Sequence, residues 1–282
     1  MVVRHKGADR MKTKITVVVD NIANDGIKGE WGLCIYIEYG DKKILLDAGA
    51  SDLFLGNMKK LGINVADIDY ATLSHAHYDH ANGLPAFLDN NSKAKLYLRE
   101  STAYDCFSKI LFIKNYIGIP KNMLEKYTDR IETVSGDYKI AEGVYLIPHK
   151  TANLEKIGKR EMMYRKTPQG CKPDNFSHEQ SLVLDTDKGL VILNSCSHGG
   201  PANIINEVKN TFPGKKVYGL IGGFHLFNKP KREIIELAQK MKNTGIEYVC
   251  TGHCTKDRAY NILHDELGNM AVQMRVGYRV EF

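Results

Sequence analysis

Short apolar runs with strand-like spacing recur along the chain and alternate with runs that have helical spacing. The strand-like runs, rich in β-branched and aromatic residues, lie at 14–20, 33–40, 42–49, 69–75, 95–99, 143–149, 180–186, 189–195, 216–223 and 247–253. Helical periodicity of apolar positions predicts helices at 51–61, 104–117, 201–210, 230–243 and 256–267. Groups of strands that alternate with helices, twice along the chain, predict an α/β fold in which helices cover the sheets.

The segment 149–179 differs from the rest of the chain because it is polar and basic and contains two prolines. A connection of this length is either functional or disordered, so we predict an insertion or lid loop near the site, with a plain flexible insertion as the alternative. Residues 1–13 are predicted to form a flexible N-terminal extension. Residues 14–282 are predicted to form a single domain, since 43% hydrophobic composition over 282 residues is enough for one large core.

Composition gives predictions for the cellular compartment and for the charge of the substrate. The sequence contains no run of about eighteen uninterrupted apolar residues, so no membrane-spanning helix is predicted. A charged N-terminus and six scattered cysteines without disulfide spacing predict a cytoplasmic protein with free thiols. The net charge of +6 suits a small anionic or phosphorylated substrate but is too diffuse to indicate nucleic acid, and ordinary solubilising lysines are the alternative explanation.

Residues 74–83 read SHAHYDHANG and place three histidines and an aspartate within six positions. His75 and His77 lie two residues apart at the end of a predicted strand, so both side chains can point the same way. Asp79 and His80 follow where the chain turns, and imidazole and carboxylate groups are ligands that zinc accepts. A chance cluster on a polar turn is the alternative, but this density of ligands predicts a metal site.

Three later histidines also follow predicted strands. His198, His225 and His253 each lie near glycine, which allows backbone or ligand to approach closely. A single histidine at a strand end is commonly a hydrogen-bonded residue without further function. Three of them in corresponding places indicate that they contribute to the same site.

The stretch HAHYDH at 75–80 resembles the HxHxDH signature of the metallo-β-lactamase superfamily. The segment LLDAG, with Asp47 directly after a strand, resembles the first motif of the same superfamily. The resemblance implies a four-layer αββα sandwich that binds one or two metal ions. It also implies that Asp47 is not a ligand and instead holds a ligand histidine through a hydrogen bond.

The late segments NSCSHGG, GGFHL and TGHCT resemble those of one branch, the proteins similar to 7,8-dihydropterin-6-yl-methyl-4-(β-D-ribofuranosyl)aminobenzene 5′-phosphate synthase. This resemblance implies two metal sites, the first formed by His75, His77 and His198 and the second by Asp79, His80 and His253. His225 is then a residue that binds substrate or transfers a proton.

The chain departs from the superfamily pattern at Cys196. Most members with two metals carry a bridging aspartate in a Gly-Asp pair after a late strand, and Ser195-Cys196 occupies that place here. Cys196 is either a thiolate ligand, which suits zinc, or a small buried thiol beside the site. Trp31, Lys256 and His178 also differ from the residues of the branch, so the resemblance leaves the substrate open.

The residues and the resemblance together lead to the hypothesis of a metal-dependent hydrolase or a related transfer enzyme. Two divalent ions, zinc or else manganese or iron, would activate a water for attack on a small anionic or phosphorylated molecule. Asp79 would bind metal and orient the nucleophile, and His225 would protonate the leaving group or bind a phosphate. The alternatives are a non-haem iron enzyme of the oxygenase type and a metal-binding sensor without turnover.

Overall fold

The computed structural model describes residues 12–24, 26–110 and 113–282. The strands are β1 (Thr13–Val19), β2 (Cys34–Tyr39), β3 (Lys42–Leu46), β4 (Tyr70–Thr72), β5 (Lys95–Arg99), β6 (Asp105–Ile110), β7 (Ile113–Tyr116), β8 (Ile131–Val134), β9 (Tyr138–Ala141), β10 (Val144–Pro148), β11 (Met163–Thr167), β12 (Gly170–Pro173), β13 (Gln180–Thr186), β14 (Gly189–Leu193), β15 (Val217–Gly222), β16 (Tyr248–Thr251), β17 (Ala271–Gln273) and β18 (Arg279–Glu281). The helices are α1 (Leu53–Leu61), α2 (Tyr78–Ala81), α3 (Leu84–Asn90), α4 (Met123–Lys126), α5 (Glu155–Arg160), α6 (Pro201–Thr211), α7 (Lys231–Asn243) and α8 (Lys256–Leu267).

Two seven-stranded sheets form the centre of the fold, in the orders β18-β1-β2-β3-β4-β5-β8 and β17-β16-β15-β14-β13-β10-β9. A buried cluster that includes Ile37 and Val191 fills the space between them. A second cluster, with Phe54 and Phe87, lies between the first sheet and helices α1 and α3. A third cluster, with Met241, joins the second sheet to α6, α7 and α8. The predicted α/β fold with a four-layer αββα sandwich is confirmed.

Strand β2 shows how the sequence builds these layers. Cys34 and Tyr36 belong to the cluster under the helices, whereas Ile35 and Ile37 belong to the cluster between the sheets. Successive side chains of a strand point to opposite faces. Because both faces of this sheet are covered, the strand reads as a nearly continuous apolar run instead of an alternating one.

The strand ends place the candidate ligands at one edge of the sandwich. β3 and β4 are parallel neighbours, as are β14, β15 and β16, so the carboxyl ends within each group lie side by side. Asp47 and His75 follow strands of the first group, and His198, His225 and His253 follow strands of the second. Side chains that are far apart in sequence therefore meet where the two sheets end.

Residues 104–117 form no helix in the described part of the chain, so the predicted helix was wrong. They form β6 and β7, which pair in an antiparallel arrangement with Phe107 opposite Tyr116. β6 also pairs with the distant strand β11, with Phe107 opposite Tyr164. The apolar spacing here fits either period, and the pairing with a strand about fifty residues downstream decides between them.

The insertion 149–179 contains regular structure, unlike the predicted loop. It holds α5 and the hairpin of β11 and β12, which joins β6 and β7 in a four-stranded sheet of order β12-β11-β6-β7. Its two ends meet because Pro148 and Gln180 are directly paired residues of β10 and β13. A role as a lid stays a prediction.

Three further predictions concern the N-terminus, membrane-spanning helices and the cysteines. Residues 1–11 of the predicted extension lie outside the described residues, and Thr13 is already the first residue of β1. Over the described ranges, no helix is both long and apolar enough to cross a bilayer. The six cysteines are all free thiols.

Gly83 is the last residue of the histidine-rich stretch 74–83. A substitution there tests how closely the chain packs at the edge of the sandwich where the candidate ligands meet. A Cβ at this position would lie 2.1 Å from the carbonyl oxygen of Ala48, whereas a Cβ at Gly56 in helix α1 would meet nothing within 4 Å. We expect Gly83→Ala to lower the free energy of unfolding by about 1–3 kcal/mol, as overpacking does. The control Gly56→Ala should raise it by up to about 1 kcal/mol because alanine favours helix. Urea denaturation measures both, and equal effects would contradict the packing argument.

Candidate metal centre

Asp47 is a fully buried carboxylate that ties the histidine-rich stretch to the first sheet. It accepts hydrogen bonds from the backbone N–H of Ser74 at 2.7 Å, from Ser74 Oγ at 2.7 Å and from His80 Nδ1 at 2.8 Å. Its backbone lies in the left-handed region with φ of 60°, an unfavourable conformation for a non-glycine residue. The contact places the proton of the His80 ring on Nδ1, which leaves Nε2 directed at Cys196, 3.3 Å from its Sγ.

A first group of imidazole rings consists of His75, His77 and His198. The ring centroids lie 4.6 Å apart for His75 and His77, and 5.0 Å separates each of them from His198. The hydroxyl of Ser74 donates to Asp47 and contacts His75 Nδ1 at 2.8 Å, so it accepts the proton of that nitrogen. The Nε2 atom of His75 is then free to bind a cation.

A second group consists of Asp79, His80 and His253. His253 Nε2 lies 3.5 Å and His80 Nε2 lies 3.8 Å from Asp79 Oδ2. The side-chain oxygen of Asn21 lies 3.2 Å from His253 Nδ1 and can accept its proton. The indole of Trp31 packs on this ring with a centroid distance of 5.2 Å. His253 is thus held from two sides and presents Nε2 to its neighbours.

Cys196 lies between the two groups. Its Sγ is within 4.8 Å of the nearest ring nitrogens of His75 and His198, and also within 4.8 Å of those of His80 and His253. The same sulfur is 3.4 Å from Sγ of Cys254. The structure therefore puts a thiol in the central position, where the superfamily pattern has a bridging aspartate.

The protonation states of the first group suit cation binding. Burial lowers the pKa of His77 to about 3, and it lowers the pKa of His75 and of His198 well below the usual value for histidine. The three rings are therefore neutral at physiological pH and keep a lone pair for a ligand bond.

Asp79 has the charge that a ligand needs. Its burial opposes ionisation, but the neighbouring His80 and His253 outweigh that effect and lower the pKa of the carboxyl below its usual range. A negative charge is thereby placed beside the second group of rings.

Several buried ring nitrogens find no hydrogen-bond partner in the described chain. They are Nε2 of His75, of His77 and of His253, and both nitrogens of His198. A buried polar atom without a partner costs about 1–3 kcal/mol, so such a concentration needs an explanation. The atoms converge beside a carboxylate and a thiol, and this donor set fits divalent cations of the zinc type.

His225 lies on the cleft side of the first group and in neither potential ligand group. Its backbone has φ of 49°, its Nδ1 is buried without a partner among the described residues, and its ring centroid is 4.6 Å from that of His198. Its Nε2 is 4.0 Å from Oε2 of Glu161, a residue of the insertion. His198 and His225 line a cleft of about 430 Å³, which is bounded by α5, by the start of α6 and by α7.

A separate buried cluster of polar side chains contains His77, Cys106, Asp174 and His178. His178 Nδ1 accepts the backbone N–H of Ala76 at 3.1 Å, and His178 Nε2 donates to Asp174 Oδ2 at 3.0 Å. Both nitrogens of His178 are therefore satisfied within the protein. The cluster supports the backbone between His75 and His77 from the side of the insertion.

Sequence reasoning missed several residues that support the site. Asp20 accepts the backbone N–H of His253 at 2.8 Å, and Asn21 contacts both the ring and the carbonyl of that residue. Glu179 accepts the backbone N–H of His198 at 3.0 Å. The position of Asp20 and Asn21 directly after the buried strand β1 is the same strand-end signal that marked Asp47. No comparable signal marked Glu179.

Comparison with known proteins shows which superfamily the chain resembles. The family model described as metallo-beta-lactamase superfamily matches residues 31–148, which contain Asp47 and the stretch 74–83. A crystal structure described as a metal-dependent hydrolase of the beta-lactamase superfamily has a TM-score of 0.81 and 28% identity, covering 96% of this chain and 99% of that chain. A metallo-beta-lactamase fold protein from Bacillus subtilis, 12% identical, has a TM-score of 0.59 over 97% of this chain and all of that one, which concerns the fold alone.

The fold is that of the metallo-β-lactamase superfamily, and the resemblance predicted from the sequence is confirmed. Within it, the chain is similar to a 7,8-dihydropterin-6-methyl-4-(beta-D-ribofuranosyl)-aminobenzene-5'-phosphate synthase of Methanocaldococcus jannaschii, with 27% identity over 95% of this chain and 96% of the relative. An uncharacterized protein of the same organism is 26% identical over 87% of this chain and 91% of its own length. The superfamily and the synthase support an enzymatic function in general terms.

Asp47 offers a test of the centre that leaves every candidate ligand in place. We expect Asp47→Asn to weaken zinc binding about 10–100-fold, because the amide no longer fixes the His80 ring as the carboxylate does. The control is Asp52→Asn, at an exposed position just before α1. Competition against a chromophoric chelator measures both variants. Unchanged zinc affinity in a folded Asp47→Asn variant would show that the carboxylate does not orient a ligand.

Proposed function

We propose that this protein is a metal-dependent hydrolase, or a closely related transfer enzyme, that acts on a small anionic or phosphorylated molecule. The observation that carries the proposal is the convergence of unpartnered imidazole nitrogens around Cys196. Two relatives support it by their descriptions, one as a metal-dependent hydrolase and one as a synthase whose product carries a phosphate.

Six side chains would hold two divalent cations. His75, His77 and His198 would bind the first, and Asp79, His80 and His253 would bind the second. When bound, divalent cations of this kind lower the pKa of a water molecule and stabilise negative charge that develops on oxygen. Zinc fits this mixture of nitrogen, carboxylate and thiol donors, and manganese and iron are the alternatives.

The residues around the ligands prepare them for this role. Asp47 and Ser74 fix the rings of His80 and His75, and Asn21 fixes the ring of His253, so that one nitrogen of each faces the centre. Asp79 is ionised and lies between His80 and His253. Its carboxylate can accept a hydrogen bond from the attacking water and so orient the water oxygen towards the substrate.

His225 is the proposed proton donor at the cleft. Hydrolysis joins the water oxygen to the electrophilic carbon or phosphorus and breaks the bond to the leaving group, which must gain a proton. The His225 ring faces the cleft and has an unpartnered Nδ1, and it can supply that proton or donate a hydrogen bond to a phosphate oxygen. Lys229 lies on the same wall in contact with Glu161, and Lys240 lies further along it.

Removing the metal or one ligand tests the mechanism. Purified metal-loaded protein would be assayed on phosphodiester, lactone and thioester model substrates. We expect turnover of at least one class, and a loss of more than about 100-fold on chelation or in His77→Ala, since loss of an outer-shell partner alone already costs 10–100-fold. Added zinc should restore only the chelated wild-type protein.

The matched control for that assay is His264→Ala, which removes an exposed histidine of α8 that contacts the carbonyl oxygen of Ala271. It should keep wild-type activity. Turnover that survives both chelation and the His77→Ala change would contradict a metal-dependent mechanism. Oxygen uptake by the iron-loaded protein without hydrolysis would favour the alternative of an oxygenase-type enzyme.

We further propose that Cys196 binds metal as a thiolate. In the protein without cations, burial and the neighbouring Cys254 raise the pKa of the Cys196 thiol well above its usual value. Cations on either side would reverse this effect, since a coordinating thiol is deprotonated outright. The thiolate would then take the place of the bridging carboxylate found elsewhere in the superfamily.

Metal content distinguishes a ligand at Cys196 from a merely buried thiol. We expect Cys196→Ala to bind fewer than two zinc ions per chain, or to bind one of them at least tenfold more weakly, as loss of support at a metal site does. Cys250→Ala removes an equally buried thiol from the core between the sheets and should bind zinc as the wild type does. Elemental analysis and chelator competition give the result, and identical binding by both variants would leave Cys196 as a packing residue.

A further inference from the structure

His149 is a buried histidine held between two buried glutamates. Its Nε2 contacts Oε2 of Glu179, and its Nδ1 lies 3.1 Å from Oε2 of Glu207. The side chains of His149, Glu179 and Glu207 are only 5%, 0% and 8% exposed. Carboxylates only accept hydrogen bonds, so both ring nitrogens donate and the imidazole carries a positive charge.

Glu179 also holds the loop that carries His198. Its Oε1 accepts the backbone N–H of His198 at 3.0 Å, and its Oε2 accepts that of Gly199 at 3.1 Å. The loop is pressed against the ring of His149, because a Cβ at Gly199 would lie 2.2 Å from His149 Cε1. Only glycine leaves room for this contact.

Glu207 holds the beginning of the insertion. Its Oε1 accepts the backbone N–H groups of Lys150 at 2.9 Å and of Thr151 at 2.8 Å, and the Thr151 hydroxyl at 2.6 Å. Glu207 belongs to α6, the helix that follows the His198 loop directly. The three side chains therefore link both ends of the insertion, the His198 loop and α6.

Electrostatics keep this network charged. Burial alone would lower the pKa of His149, but Glu179 and Glu207 outweigh it and raise that pKa to about 9. Burial would raise the pKa of Glu207, but its contacts with His149 and Thr151 lower it to about 2. The opposite charges of His149 and Glu207 stabilise each other in this buried place.

We infer that His149 is a positioning residue of the metal centre, which fixes the His198 loop and the base of the insertion in one arrangement through Glu179 and Glu207. The inference rests on the proposed function, because His198 is a proposed ligand. A purely structural ion pair would stabilise the fold but would not change the affinity of one metal site relative to the other.

Cobalt binding separates the two roles. His149→Gln and Glu179→Gln would be titrated with Co²⁺ in competition with a chelator, with the visible absorption spectrum as a second readout and thermal unfolding as the check on folding. We expect one of the two ions to bind about 10–100-fold more weakly, with an altered spectrum, because the backbone of its ligand His198 is released. The other ion should bind as in the wild type, and His264→Gln is the matched control.

The outcomes are distinguishable. Folded variants that bind both ions with wild-type affinity, or that lose both equally, overturn the inference. If His149→Gln does not fold, Glu207→Gln carries the test, since it keeps the ring and Glu179, and it should weaken the same ion by a smaller factor. Wild-type protein that binds no cobalt overturns the proposed function, and the inference with it.

Discussion

Three buried imidazole rings in this centre have their Nδ1 atom paired within the protein, which leaves Nε2 to face the candidate metal site. The pairing partners are Asp47 for His80, Ser74 for His75 and Asn21 for His253. Each partner fixes the tautomer and the orientation of its ring, and the free nitrogens then have to point into a common space. Leaving them unpaired in a dry interior is unfavourable by itself, so the surrounding fold must supply enough stability to maintain it.

That stability comes from the two sheets and the short connections at their edge. The residues that follow the strands adopt conformations that side chains usually avoid, with φ of 60° at Asp47, 52° at Ser197, 49° at His225 and 48° at His253. Such conformations cost about 1–3 kcal/mol each and persist only where the surroundings enforce them. The paired strands and their packed clusters leave these connections little freedom, so the arrangement of side chains is set before any ligand arrives.

The sequence predicted those parts of the molecule that depend on local pattern. The strands of both large sheets that it marked and the helices α1, α6, α7 and α8 follow from the spacing of apolar residues, and the stretch 74–83 is local in sequence. The helix predicted at 104–117 was wrong because β6 depends on pairing with β11 inside the insertion. The central position of Cys196 and the contact of Glu179 with His198 depend on tertiary packing, which leaves no periodic trace in the sequence.

The pairing of Pro148 with Gln180 has a consequence for how this fold can diversify. The chain leaves the second sheet and returns to it at adjacent positions, so the part of the segment between His149 and Asp174 can be lengthened or shortened without altering the register of β10 and β13. That part supplies Glu161 and α5 to one wall of the cleft. The six proposed ligands lie outside the insertion, and the residues of the insertion that support them, His149 and Glu179, lie at its two ends. The cleft wall can therefore change during evolution while the metal chemistry and the residues that support it are retained.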